Sequence, residues 1–127
     1  MATPLTGLSA ITLFVDDLAA AKEFYGRAFG LPVMFEDGAS AVFNLGNTLI
    51  NLLMTTEALG LISPARVADQ FAGARAQFTI TVDDVDAVHA ELSARGVEFI
   101  NGPMTRPWGI RTACFADPAG HLWEIAH

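Results

Sequence analysis

The sequence predicts an α+β domain made of two tandem β-α-β-β-β modules. Three observations predict it. First, a strand, an Asp-Asp pair and a helix start occur twice: Thr12-Leu13-Phe14-Val15-Asp16-Asp17-Leu18 aligns with Thr79-Ile80-Thr81-Val82-Asp83-Asp84-Val85. Second, each helical stretch stops at a glycine, Gly30-Leu31 matching Gly96-Val97. Third, the closing strands align from Gly46 and Gly120, and with one residue fewer in the second copy Asn51 falls opposite Glu124. A repeat of this kind fixes the architecture before any single element is argued.

The elements follow in order. Leu8 to Val15 is a strand of β-branched and aromatic residues. Asp16-Asp17 supplies an N-cap with acids at the positive end of the helix dipole. Leu18, Ala21, Phe24, Tyr25, Ala28 and Phe29 recur with helical period, and Gly30 suits the position after the last turn. Pro32 to Glu36, Ser40 to Leu45 and Thr48 to Met54 read as strands separated by Asp37-Gly38 and Gly46-Asn47 turns. Thr55 to Arg75 interrupts the pattern, with helical candidates around Glu57 and at Val67–Phe71. Gln77 to Val82 restarts it as a strand, and Asp83-Asp84 caps a helix through Val85, Val88, Leu92 and Ala94. Val97 to Ile100, Ile110 to Ala116 and His121 to Ala126 are the last strands, the final two joined by an Asp117-Pro118-Ala119-Gly120 turn. The expected organisation is one domain over 1–127: module one about 7–55, a linker about 56–75 and module two about 76–127.

The length allows one domain with a real core. The 52% apolar and 17% charged content is globular. A net charge of −7 argues against nucleic acid or an anionic membrane as partner. No apolar run approaches the ~20 residues of a membrane span. The lone Cys114 excludes an intrachain disulfide and fits a reducing compartment. With no basic or apolar leader pattern at Met1-Ala2-Thr3-Pro4, the expectation is a cytoplasmic protein.

Strand alternation divides each sheet into two faces. The more apolar sets, such as Leu13 with Val15 and Trp123 with Ile125, should lie under the helices. The opposite sets mix apolar and isolated polar groups: Ala10, Thr12 and Phe14; Leu49, Asn51 and Leu53; Gln77, Thr79 and Thr81; Leu122, Glu124 and Ala126. That mixture is the composition of a small-molecule pocket. The pseudo-symmetry makes Ala10 equivalent to Gln77 and Asn51 to Glu124, so four positions are expected on one concave face.

The chain resembles the vicinal oxygen chelate superfamily, also called glyoxalase/bleomycin-resistance/dioxygenase. The residues that carry the resemblance are Val15-Asp16-Asp17-Leu18, Phe24-Tyr25 and Gly30-Leu31, then Pro107-Trp108-Gly109, Arg111, Phe115, Asp117-Pro118-Ala119-Gly120 and Glu124. The resemblance implies a half-open eight-stranded sheet around a cavity, and homodimers with cavities near or across the interface. It also implies four metal-ligand positions, carried here by Ala10, Asn51, Gln77 and Glu124. Glu124 matches well, Gln77 is acceptable as a neutral oxygen donor, Asn51 replaces a carboxylate poorly, and Ala10 cannot coordinate. The expectation is therefore no metal and no other cofactor. If a divalent ion such as Zn, Ni, Mn or Fe binds, Glu124 and Gln77 hold it, with missing ligands from His121 or a dimer partner.

Two functions follow. One is a metal-independent binding protein of the bleomycin-resistance type, holding a small molecule in the cavity. The other is a metal-dependent glyoxalase-like lyase or ring-cleaving dioxygenase. The candidate ligand contacts are Glu124, Gln77, Asn51, Trp108, Arg111, Phe14 and Phe43. Glu124 reads either as a ligand anchor or as a paired structural acid. Arg111 reads either as a sheet-edge cation or as a bidentate clamp on an anion. Trp108, between Pro107 and Gly109, sits on a loop available for stacking. Trp123 is expected in the core against the second helix. No serine or cysteine lies in a nucleophile motif, and no glycine loop would cradle phosphate.

Overall fold

A computed structural model describes residues 3–69 and 71–127. The first module holds β1 (Ala10–Val15), α1 (Leu18–Phe29), β2 (Val33–Glu36), β3 (Ser40–Asn44) and β4 (Leu49–Met54). A short helix α2 (Thr55–Ile62) follows β4 directly. The second module holds β5 (Gln77–Thr81), α3 (Val85–Ala94), β6 (Phe99–Thr105), β7 (Arg111–Ala116) and β8 (Leu122–Ala126). The eight strands form two four-stranded sheets, ordered β1-β4-β3-β2 and β5-β8-β7-β6. In each, the first and last strands of the module pair in parallel and the rest are antiparallel. Neither sheet closes.

The helix starts follow from the Asp-Asp pairs. Asp17 accepts from the Ala20 amide and Asp84 from the Ala87 amide, each satisfying an otherwise unpaired N–H of the first turn. Gly30 ends α1 in the left-handed conformation, φ 67°.

Two expectations need correction along the chain. Val67–Phe71 is not helical at 67–69 or 71, and Gln70 lies outside the described residues, as do Met1 and Ala2. The strand expected over Val97 to Ile100 instead begins at Phe99 and runs through Gly102-Pro103 to Thr105. A proline survives there because β6 is an edge strand and its register with β7 shifts between Asn101 and Met104. Gly102, at φ 82°, lies so close to β7 that a Cβ would stand 2.5 Å from the Thr112 carbonyl oxygen.

The core joins the modules through α1. Its Tyr25 ring lies 6.1 Å from Phe43 of the first sheet and 6.2 Å from Trp123 of the second, and Phe29 lies 5.0 Å from Trp123. Trp123 is therefore core, as expected, but it packs on the first helix rather than the second. At their C-terminal ends α1 and α3 exchange contacts, Arg27 donating to the Arg95 carbonyl and Arg95 to the Ala28 carbonyl. α1 thus sits between the inner faces of both sheets. The open faces of the sheets turn away from this shared helical layer.

Candidate functional site

The open face of the second sheet carries the densest set of polar groups. Strand register puts Thr79 beside Glu124 and Glu124 beside Cys114. The Thr79 hydroxyl donates to Glu124 Oε1 at 2.9 Å, and Gln77 Nε2 donates to Cys114 Sγ at 3.3 Å. Gln77 and Thr79 are exposed and Glu124 half-buried, whereas Cys114 is buried. The first sheet repeats the motif in weaker form. Thr12 pairs with Asn51, whose Nδ2 donates to Thr12 Oγ1 at 3.4 Å. The equivalence of Asn51 and Glu124 read from the repeat thus has a structural counterpart: each is bonded to the threonine beside it on the first strand of its own module.

Within one chain the four positions do not meet. Ala10 and Asn51 lie on the first sheet, Gln77 and Glu124 on the second, and α1 lies between the inner faces. Alternation correctly placed each residue on its face. It carried no information on how the two modules pack. Among the described residues, no three His, Cys, Asp or Glu side chains gather into a cluster that would hold a metal.

The remaining candidates separate. Phe43 is fully buried on the inner face against Tyr25, so it is core and not a pocket wall. Its partner in the ladder is Ile50, which faces the helices too. Arg111 also points inward. Its guanidinium forms a two-pronged pair with Asp86 of α3, Nη2 to Oδ1 at 2.8 Å and Nε to Oδ2 at 2.5 Å, and Nη1 donates to Thr105. That bond with Arg111 holds the Asp86 carboxyl below its usual range. Arg111 is a paired cation at the start of β7, an inner strand of its sheet, and not a free clamp on an anion. Trp108 projects from the β6–β7 hairpin, 72% exposed, and lies outside the linker cavity that Phe14 lines. That cavity is at the junction of the linker with both modules.

Two features escaped the sequence. Arg106, not Arg111, is the cation on the open face of the second sheet. Its Nε donates at 2.9 Å to Thr112 Oγ1, and Thr112 shares the face of Cys114 and Glu124. The signal lay in hairpin geometry: Arg106 N–H donates to the Ile110 carbonyl across the turn, so the turn is one that the sequence did not place. The second feature is a buried polar chain. Trp123 Nε1 donates to the Tyr25 hydroxyl at 3.0 Å, and that hydroxyl donates to Asp117 Oδ2 at 2.6 Å. Asp117, 5% exposed, also accepts from the Ala119 and His121 amides and lies 2.8 Å from His121 Nδ1. Burial opposes ionisation of Asp117, but bonds from His121 and Tyr25 hold its carboxyl below the usual range. Burial, together with the neighbouring carboxylate, pushes the Tyr25 hydroxyl far above its ordinary value. A fully buried tyrosine in the apolar stripe of α1 was the available signal, because its hydroxyl must find a partner.

This architecture is that of a known superfamily. The family model for the Glyoxalase/Bleomycin resistance protein/Dioxygenase superfamily matches residues 7–125, and the chain belongs to that superfamily. Among solved structures, a glyoxalase/bleomycin resistance protein/dioxygenase from Nocardioides is similar with a TM-score of 0.88 and 23% identity, covering 98% of this chain and 85% of its own. A glyoxalase-related enzyme from Fulvimarina pelagi gives 0.82 at 25% identity, covering 96% and 88%. A lactoylglutathione lyase from Agrobacterium tumefaciens gives 0.76 at 25% identity, covering 97% and 94%. No curated protein matches the chain.

Proposed function

We propose that this chain is a metal-independent small-molecule binding protein of the glyoxalase/bleomycin-resistance type. The ligand lies on the open face of the second sheet, with Glu124 as its polar anchor, Gln77 and Thr79 beside it and Arg106 at the far end of the same face. The observation that carries the reading is the donor set. Of the four equivalent positions only Glu124 offers an anionic donor, it already accepts from Thr79, and Ala10 offers none. Divalent sites of this kind take three or four protein ligands. A face with one carboxylate, one guanidinium and neutral amides suits a neutral or zwitterionic organic molecule.

The same reading requires a second copy. One open face alone is a shallow surface, and a cavity forms when the Asn51 face of one chain covers the Glu124 face of its partner. The edge strands support this: Val33, Met34 and Phe35 on β2, and Ile100 and Met104 on β6, are exposed apolar groups on unpaired edges. Such edges tend to be covered in the working protein. Closed two-fold symmetry is the commonest way to cover them.

The divalent-metal reading, a lyase or dioxygenase, draws on the similarity to the Agrobacterium protein named as a lactoylglutathione lyase. One experiment separates the two. Protein purified without chelator is analysed for metals and screened by thermal shift against aromatic metabolites and antibiotics, with and without divalent ions. A ligand that binds only the folded state raises the melting temperature. Metal-free protein that binds a ligand, with affinity lost in Glu124→Gln, is the expected result. Tightly held stoichiometric metal, or binding untouched by Glu124→Gln, would overturn the proposal.

A further inference from the structure

The buried polar chain ends at a cavity that the open-face site does not use. A space of about 220 Å³ lies where the linker crosses the β7–β8 turn, bordered by Phe14, Phe78, Leu122, Asp16, Arg75 and His121. That is below the roughly 300–1,000 Å³ of sites that take drug-sized molecules, so it suits a compact ligand.

His121 is pre-oriented there. Asp117 is a carboxylate with acceptor atoms only, so the proton on the His121–Asp117 contact belongs to Nδ1. This puts a proton on Nδ1 and leaves Nε2 on the other side of the ring, with no partner among the described residues. Tyr25 and two backbone amides hold Asp117 in turn, so the imidazole is braced from behind by the core.

The charges on the wall define the ligand. Asp16 has one oxygen engaged, Oδ1 accepting from Thr55 Oγ1 at 3.2 Å. Asp69 also borders the cavity, with Oδ1 accepting from the Phe71 amide. Arg75 forms no ion pair among the described residues. Two carboxylates disfavour a simple anion, and a guanidinium with no ion pair among the described residues disfavours a simple cation. Both kinds of wall are satisfied by one molecule carrying an ammonium and a carboxylate on an apolar body. We propose that this junction cavity is a second ligand site for a small zwitterion of the aromatic amino-acid class. Its ammonium donates to Asp16 beside the His121 ring, its carboxylate meets Arg75 as a two-pronged pair, and its side chain lies against Phe14, Phe78 and Leu122. All its lining residues come from one chain; Leu122 shares the face of Glu124, but Glu124 itself does not border the cavity.

The test uses the intact protein and three probes: L-phenylalanine, phenethylamine, which lacks the carboxylate, and 3-phenylpropionate, which lacks the ammonium. Affinities come from calorimetry, and the imidazole nitrogens of His121 are followed by long-range proton–nitrogen NMR. L-phenylalanine is expected to bind at least tenfold tighter than either truncated probe and to shift the His121 Nε2 resonance. Arg75→Gln should reduce it to the affinity of phenethylamine, and Asp16→Asn to that of 3-phenylpropionate. Both substitutions are at exposed positions outside the core. Glu124→Gln should change nothing. No binding, equal binding of the three probes, an unmoved Nε2 resonance, or loss of binding in Glu124→Gln would each overturn the assignment.

Discussion

Replacing Tyr25 by phenylalanine tests the physical account of how the two modules are joined. The hydroxyl bridges Trp123 Nε1, at 3.0 Å, and Asp117 Oδ2, at 2.6 Å, and the residue is fully buried. Its removal deletes a hydrogen bond to a charged group, worth about 1.5–3 kcal/mol, and orphans a buried indole N–H, at about 1–3 kcal/mol. The two terms share one atom and overlap, so the expected loss is about 3 kcal/mol. At roughly 2.1 cal/mol/K per residue, the unfolding entropy of a chain this size is about 0.27 kcal/mol/K, which converts the loss to about 11 °C in melting temperature. The assay is urea unfolding of both proteins at one protein concentration, because association would otherwise shift the midpoint. The pH dependence carries a second check. Asp117 is held low in the folded state, so its contribution is complete above the ordinary carboxylate range near pH 4 and is lost as pH falls through the depressed folded value. The gap between wild type and Tyr25→Phe should therefore be constant from about pH 5 to 8 and narrow only in acid. A loss below about 1 kcal/mol, or a gap indifferent to acid, would refute the bridging role.

Other substitutions separate core from site. Gly102→Ala places a Cβ 2.5 Å from the Thr112 carbonyl oxygen at a φ of 82°, and should cost about 2–4 kcal/mol in urea unfolding. Phe43→Ala should cost about 3–5 kcal/mol without altering ligand affinity once folded protein is titrated, since the ring is core. Arg111→Gln should leave ligand affinity unchanged by calorimetry because its guanidinium is turned to Asp86, whereas Arg106→Gln should weaken any ligand bearing a negative group. Light scattering after size exclusion should give twice the chain mass, and Phe35→Asp on the exposed edge strand should reduce it to one.

Most of the fold was legible because the sequence states it twice. A local signal repeated at matched spacing, such as Asp16-Asp17 before a helix and Gly30 after it, needs no tertiary information, and both Asp17 and Asp84 do cap helices. Face assignment was legible for the same reason. Alternation puts Trp123 and Ile125 inside and Glu124 outside, and the burial follows it. What failed was everything that depends on the relation between the modules. Phe43 obeys its strand period, but whether that face bordered a cavity or a helix required knowing where α1 lies. β6 failed for a local reason, because Gly102-Pro103 reads as a break until a bulge on an edge strand accommodates it.

The same distinction bears on where function resides in this chain. Pseudo-symmetry makes four positions equivalent, but equivalence is not convergence. Packing through α1 separates them onto outward faces, so the equivalence can serve a shared cavity only through a second copy. A buried polar system that joins both modules within a single chain is instead the line from Trp123 through Tyr25 and Asp117 to His121. It crosses from the helical layer to the linker cavity and uses residues of both modules. Its members occupy non-equivalent places in the repeat: Tyr25 lies on the first helix, and the others on or beside the last hairpin. A site built by duplication should be visible as a repeat, whereas this chain of bonds breaks the repeat. The two proposed sites therefore make independent demands on the sequence, and substitutions at Glu124 and at His121 should act on separate ligands.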